Sequence, residues 1–163
     1  PEPLLAEGVF GAIVLAGGAV YAAGYLPSPS SAWSSDVYRI DTAGGGAERL
    51  TTGELVQSLA ADATHLYWGS CTTGVWRMPL GQDAAEQIAT YIPFCDERRP
   101  RLAVDDSFVY WSPAVSIRRV PKAGGAETTW IDGLDLLGLS GPLAVDDAYV
   151  YFPNGPHILR ARK

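Results

Sequence analysis

Four segments of the chain line up on a tyrosine, and this self-similarity constrains the fold more than any other feature. They are IVLAGGAVYAAG (Ile13–Gly24), LAADATHLYWGS (Leu59–Ser70), LAVDDSFVYWSP (Leu102–Pro113) and LAVDDAYVYFPN (Leu143–Asn154). The aligned tyrosines, Tyr21, Tyr67, Tyr110 and Tyr151, are 46, 43 and 41 residues apart. A second block follows each: DVYRID, GVWRMP, SIRRVP and HILRAR, in which Arg39, Arg77, Arg119 and Arg160 share one position. A third block follows a Gly-rich turn in three of the units, from Gly44, Gly81 and Gly124.

Each unit reads as four short strands, A to D. Strand B is rich in β-formers and apolar on both faces, with Leu66 and Trp68 on one and Tyr67 on the other, so it is buried on both sides of a sheet. Asp62, Asp105 and Asp146 open the A–B turn, where a carboxylate caps the turn and accepts from nearby backbone N–H groups. Sheets of four strands, stacked radially at a period of about 40–45 residues, make a β-propeller. The expectation is an all-β fold, one propeller domain over residues 1–163, with units near 9–53, 54–97, 98–141 and 142–163.

The ends of the chain fit the same scheme. Glu2-Pro3-Leu4-Leu5 matches Glu48-Arg49-Leu50-Thr51, and Leu4 and Leu50 each lie 17 residues before the following repeat tyrosine. Residues 1–8 therefore read as the strand D that the last unit lacks, a Velcro-like closure that also removes an open sheet edge. Four units give a four-bladed ring, or half of an eight-bladed ring completed by a second copy.

The segments LAADATHLYW, LAVDDSFVYW and LAVDDAYVYF, with the Arg-bearing C strands and the AGGAE turns, resemble the YWTD/NHL-like class of propeller repeats, in the form common among secreted bacterial repeat proteins. Gly69-Ser70 and Ser112-Pro113 stand where that class has Thr-Asp. The resemblance implies a propeller fold and an extracellular or periplasmic protein. It implies no activity, since propellers host unrelated functions.

The uncharged stretch from Gly8 to Gly24 is short for a membrane span, is broken by glycines and has no basic region before it, so two strands suit it better than insertion. With 12 Lys+Arg against 18 Asp+Glu the net charge is −6, which disfavours nucleic acid as a partner. Cys71 and Cys95 do not have metal-finger spacing with His65 and His157. By blade topology the two cysteines fall on one face in neighbouring loops, B–C of the second unit and D–A of the second to the third. A Cys71–Cys95 disulfide is expected, worth roughly 3 kcal/mol, and with it an oxidising compartment.

Propeller ligands sit at the channel mouth, and the long loops here, 24–36, 90–101 and 131–142, share the face of that mouth. Trp33 is a candidate stacking platform there, Tyr25 a further candidate ligand-binding residue, and Asp96, Glu97, Arg98, Arg99 and Arg101 a mixed-charge cluster. The repeated arginines read as anchors between blades. No catalytic constellation, metal site or cofactor motif stands out. The leading expectation is a non-catalytic binding or scaffold module for a protein, peptide or glycan. One alternative is a hydrolase or lyase using carboxylates such as Asp36, Glu54, Asp96, Asp132 and Asp135. Another is an assembly unit that forms a homodimeric ring.

Overall fold

The computed structural model describes residues 8–25, 35–44, 46–52, 54–90, 101–113, 115–134 and 141–163. All regular structure among them is β. Blade 1 comprises β1 (Val9–Ala16), β2 (Ala19–Tyr25), β3 (Asp36–Asp41) and β4 (Ala47–Arg49). Blade 2 comprises β5 (Val56–Ala61), β6 (His65–Ser70), β7 (Gly74–Pro79) and β8 (Glu86–Ala89). Blade 3 comprises β9 (Leu102–Val104), β10 (Phe108–Trp111), β11 (Ile117–Pro121) and β12 (Thr128–Ile131). Blade 4 has β13 (Ala144–Val145), β14 (Tyr149–Asn154) and β15 (His157–Arg162) among the described residues. Of residues 1–8, read as its outermost strand, residues 1–7 lie outside them.

Every blade is an antiparallel meander in chain order. Register is set at the A–B turns. In blade 1 the stretch read as too short for a membrane span is the hairpin β1–β2. It turns on Gly17 and Gly18, whose φ values of 54° and 76° suit a two-residue turn that needs positive φ at both positions. No helix among the described residues is long and apolar enough to cross a membrane.

Period-two alternation then decides which side chains meet. Tyr67 points to one face of blade 2, and Leu66 and Trp68 to the other, and all three are buried. The outcome is a series of apolar wedges between sheets. The first joins Tyr21 and Val37 of blade 1 to Leu66, Trp68 and Met78 of blade 2. The second joins Tyr67 and Val75 to Val109, Trp111 and Val120 of blade 3. The third joins Tyr110 and Ile117 to Leu143, Val150 and Phe152 of blade 4. One rule describes all three. The tyrosine face of a blade packs on the next blade's strand-B residues flanking its own tyrosine.

Candidate functional site

The A–B turns carry a repeated polar device. Asp62 Oδ1 accepts from the N–H groups of Thr64 (2.7 Å) and His65 (2.8 Å), while Oδ2 accepts from Tyr67 Oη at 2.9 Å. Asp105 does the same with Ser107, Phe108 and Tyr110, and Asp146 with Ala148, Tyr149 and Tyr151. A five-residue offset puts the phenol of strand B under the turn that begins its hairpin. Each carboxylate thereby satisfies a phenol and two backbone donors.

Two lysines join this device to the following blade. Lys122, just past β11, lies 2.5 Å from Asp62, and Lys163, just past β15, lies 2.9 Å from Asp105. Burial alone would raise the Asp62 carboxyl, but Lys122 and the donors of the turn outweigh it and hold the group well below the usual carboxylate range. Asp105 is lowered in the same way, against its burial, by Lys163, the turn N–H groups and Tyr110. Burial and then the adjacent carboxylate push Tyr67 up and raise Tyr110 to about 12. The sequence reading missed both lysines, although each directly follows its Arg-bearing block, in VPK and ARK.

The repeated arginines act differently from the sequence expectation. Arg39 pairs with Glu48 at 3.4 Å and Arg77 with Glu86, in each case on strand D of its own blade. The Arg119 guanidinium lies 4.5 Å from the Phe108 ring centroid, and that of Arg160 lies 4.4 Å from Tyr149. Strand C sits between B and D, so a side chain at this position reaches its own sheet neighbours first. These contacts stay within a blade and do not anchor one blade to another.

On the face of the long loops, Asp36 is buried and fully engaged. Arg49 pairs with it at 2.6 Å, and the Thr51 hydroxyl and the Glu54 N–H donate to it. Glu54 accepts from the Thr73 hydroxyl, which in turn accepts from Trp76 Nε1. Asp132 accepts from the N–H of Gly133. These three carboxylates, noted as possible catalytic groups, each bond to groups of loops or turns. Among the described residues no group of three or more His, Cys, Asp or Glu is arranged to hold a metal.

Tyr25 ends β2 and is 46% exposed at the rim of a groove of about 220 Å³ lined by Phe10, Ser35, Val56 and Gln57. Backbone geometry shapes that groove. β1 has a bulge between Phe10 and Ala12, and a Cβ at Gly24 would collide with the Val9 carbonyl, so the strands approach there as only glycine allows. Arg101 is on the third blade, where its N–H donates to the Ser112 hydroxyl. Trp33, Asp96, Glu97, Arg98, Arg99 and Asp135 lie outside the described residues. So does Cys95, the expected partner of Cys71, whose own N–H donates to the Leu55 carbonyl. On the opposite face a second groove, of about 340 Å³, runs between Asp105-Asp106 and Asp146-Asp147 with Lys163 at its edge.

No protein-family model matches the sequence, and no curated protein matches it. Solved structures do. The computationally designed Ika4 protein aligns over 99% of this chain and 98% of its own, with a TM-score of 0.69 and 12% identity. The fold is a β-propeller. The designed Ika8 protein aligns over 94% of this chain and 46% of its own, with a TM-score of 0.64 and 12% identity. BamB from Moraxella catarrhalis aligns over 94% and 50%, with a TM-score of 0.65 and 15% identity. The chain thus spans about half the length of the Ika8 and BamB chains. At these identities the likeness speaks for the fold alone.

Proposed function

We propose that this propeller is a non-catalytic binding module that presents its long-loop face to a protein, peptide or glycan. The observation that carries the reading is Tyr25, a half-exposed aromatic ring on the rim of the groove beside Phe10. An exposed ring at a preformed groove suits stacking on a sugar or packing against a side chain. The carboxylates of Asp36, Glu54, Asp62, Asp105 and Asp146 support the same reading, because each already bonds to groups that hold loops or turns. Trp33, Asp96, Glu97, Arg98 and Arg101 extend the proposed surface.

The LAVDD and Tyr-Trp repeats favour assignment to the YWTD/NHL-like class. The match of Glu2–Leu5 to Glu48–Thr51 favours residues 1–8 as strand D of blade 4. An extracellular or periplasmic site goes with the proposed Cys71–Cys95 disulfide, and two free thiols in the denatured, unreduced protein would remove both. The binding proposal is tested by glycan- and peptide-array screens of wild type against Tyr25→Ala. A signal that the substitution abolishes supports it, and equal binding by the two proteins refutes the role of Tyr25.

A further inference from the structure

The repeat has a face that sends and a face that receives, and at the two ends of the array each leaves apolar side chains in water. The strand-C position occupied by Val37, Val75 and Ile117 is 0% exposed in the first three blades. Its counterpart in blade 4, Ile158, is 81% exposed. On the receiving side, Leu102 of blade 3 and Leu143 of blade 4 are buried against the preceding sheet. Their blade 1 counterpart, Ile13, is 72% exposed, and Leu15 on the same strand face is 68% exposed, while Tyr38 and Ile40 farther across that face are buried. Among the described residues no apolar cluster joins blade 4 to blade 1. Side chains of this size left in water at a repeated interface position mark a contact still to be made.

We propose that a second copy of this chain makes it. The tyrosine face of blade 4 in each copy packs on the blade 1 face of the other, and two such seams close one ring. The occupant is chosen by the chain's own seams. The exposed side chains at the two ends, Ile158 on one and Ile13 and Leu15 on the other, occupy the two different halves of an interface already built three times within the molecule, so one end is of the kind the other receives. A contact between unlike faces closes only when the rotation completes a ring. The likeness to Ika8 agrees, since 94% of this chain superposes on 46% of that one.

The corner of the seam supports the same pairing. At the three inner seams this register holds Ala16 and Leu80, which both pack on the first apolar wedge, then Asp62 with Lys122 and Asp105 with Lys163. The first is apolar from both blades, and the other two set an acid against a base. At the proposed seam the same register sets Asp146 against Thr42 of the partner copy, whose hydroxyl donates to the Gly18 carbonyl in the single chain and would have to turn to the carboxylate in the dimer.

Light scattering on the purified chain tests the proposal. The expected mass is twice 17.4 kDa. A mass of one chain, or a series of masses growing with concentration, would overturn it. Ile158→Asp and Ile13→Asp are each expected to give single chains that keep the β-type circular dichroism spectrum and a cooperative melt. Mixing the two variants is expected to restore the dimer, because one of its two seams is then wild type on both sides. Restoration identifies a contact of blade 4 with blade 1. Failure to restore, or a dimer persisting in either variant, refutes it. Thr42→Lys adds one partly exposed ion pair at each of the two seams and is expected to tighten the dimer up to about thirtyfold, and an unchanged dissociation constant refutes the register.

Discussion

The seam between blades 1 and 2 and the seam between blades 2 and 3 occupy equivalent places and solve them with different chemistry. At the first, Ala16 and Leu80 join the apolar wedge. At the second, Asp62 holds a turn, a phenol and Lys122 together. The wedge beneath is common to both, with an aromatic or aliphatic stack from each blade. The difference teaches that the wedge supplies cohesion, while the corner needs only two partners that match. A corner with one partner changed is worse than either kind, because a buried polar group left alone costs more than a bond returns.

The largest test of that division removes wedge and corner separately. Trp111→Ala empties a fully buried site in the second wedge and is expected to cost about 3–5 kcal/mol in chemical denaturation. Asp62→Ala strands the buried Tyr67 hydroxyl and two turn N–H groups, at an expected cost of about 1–3 kcal/mol. Asp146→Ala removes the same bonds in blade 4, where they face solvent, and is expected to cost less than Asp62→Ala. An equal or larger loss in dilute protein would show that the device does not depend on burial at a seam.

The corners also predict a pH response. Tyr110 ordinarily titrates near 10 and is raised to about 12 in the fold. Its contribution is complete below pH 10 and is lost as pH rises toward 12. The lowered carboxyls of Asp62 and Asp105 work in the other direction. Their contribution is complete above the ordinary carboxylate value of 3.8 and is lost as pH falls through their lower folded values. Urea titrations of Tyr110→Phe between pH 9 and 12 are expected to show a flatter alkaline limb than wild type. An unchanged slope would detach this phenol from the alkaline loss.

The smallest effect is expected from moving one corner to the other seam. Ala16→Asp with Leu80→Lys copies the acid–base pair onto blades 1 and 2. Because an ion pair and an apolar pair of similar fit are close in energy, the double variant is expected within about 1 kcal/mol of wild type. Each single change is expected to be worse than both together. Additive losses in the thermodynamic cycle would show that the two positions do not meet as a pair.

Much of this was legible before any coordinates. The tyrosine period sets the number of blades, and alternation around Tyr67 sets which side chains enter which wedge. Asp62, Asp105 and Asp146 are visible as repeated turn residues because a turn is local. The arginines misled for the opposite reason. Their repetition shows that the position matters, but only sheet order shows that Glu48 and Glu86 on the neighbouring strand are within reach. Lys122 and Lys163 escaped notice because each partner is a blade away and the repeat is broken at that position by Thr42 and Leu80.

The sequence alone determined the local grammar: strand lengths, hairpin turns and two apolar faces per blade, all consequences of side-chain period and turn chemistry acting over a few residues. Tertiary structure alone decided which repeated positions are satisfied. Ile117 and Ile158 occupy one place in the repeat, yet one is buried and the other is in water, because burial depends on what stacks against a sheet and not on the residue that waits there.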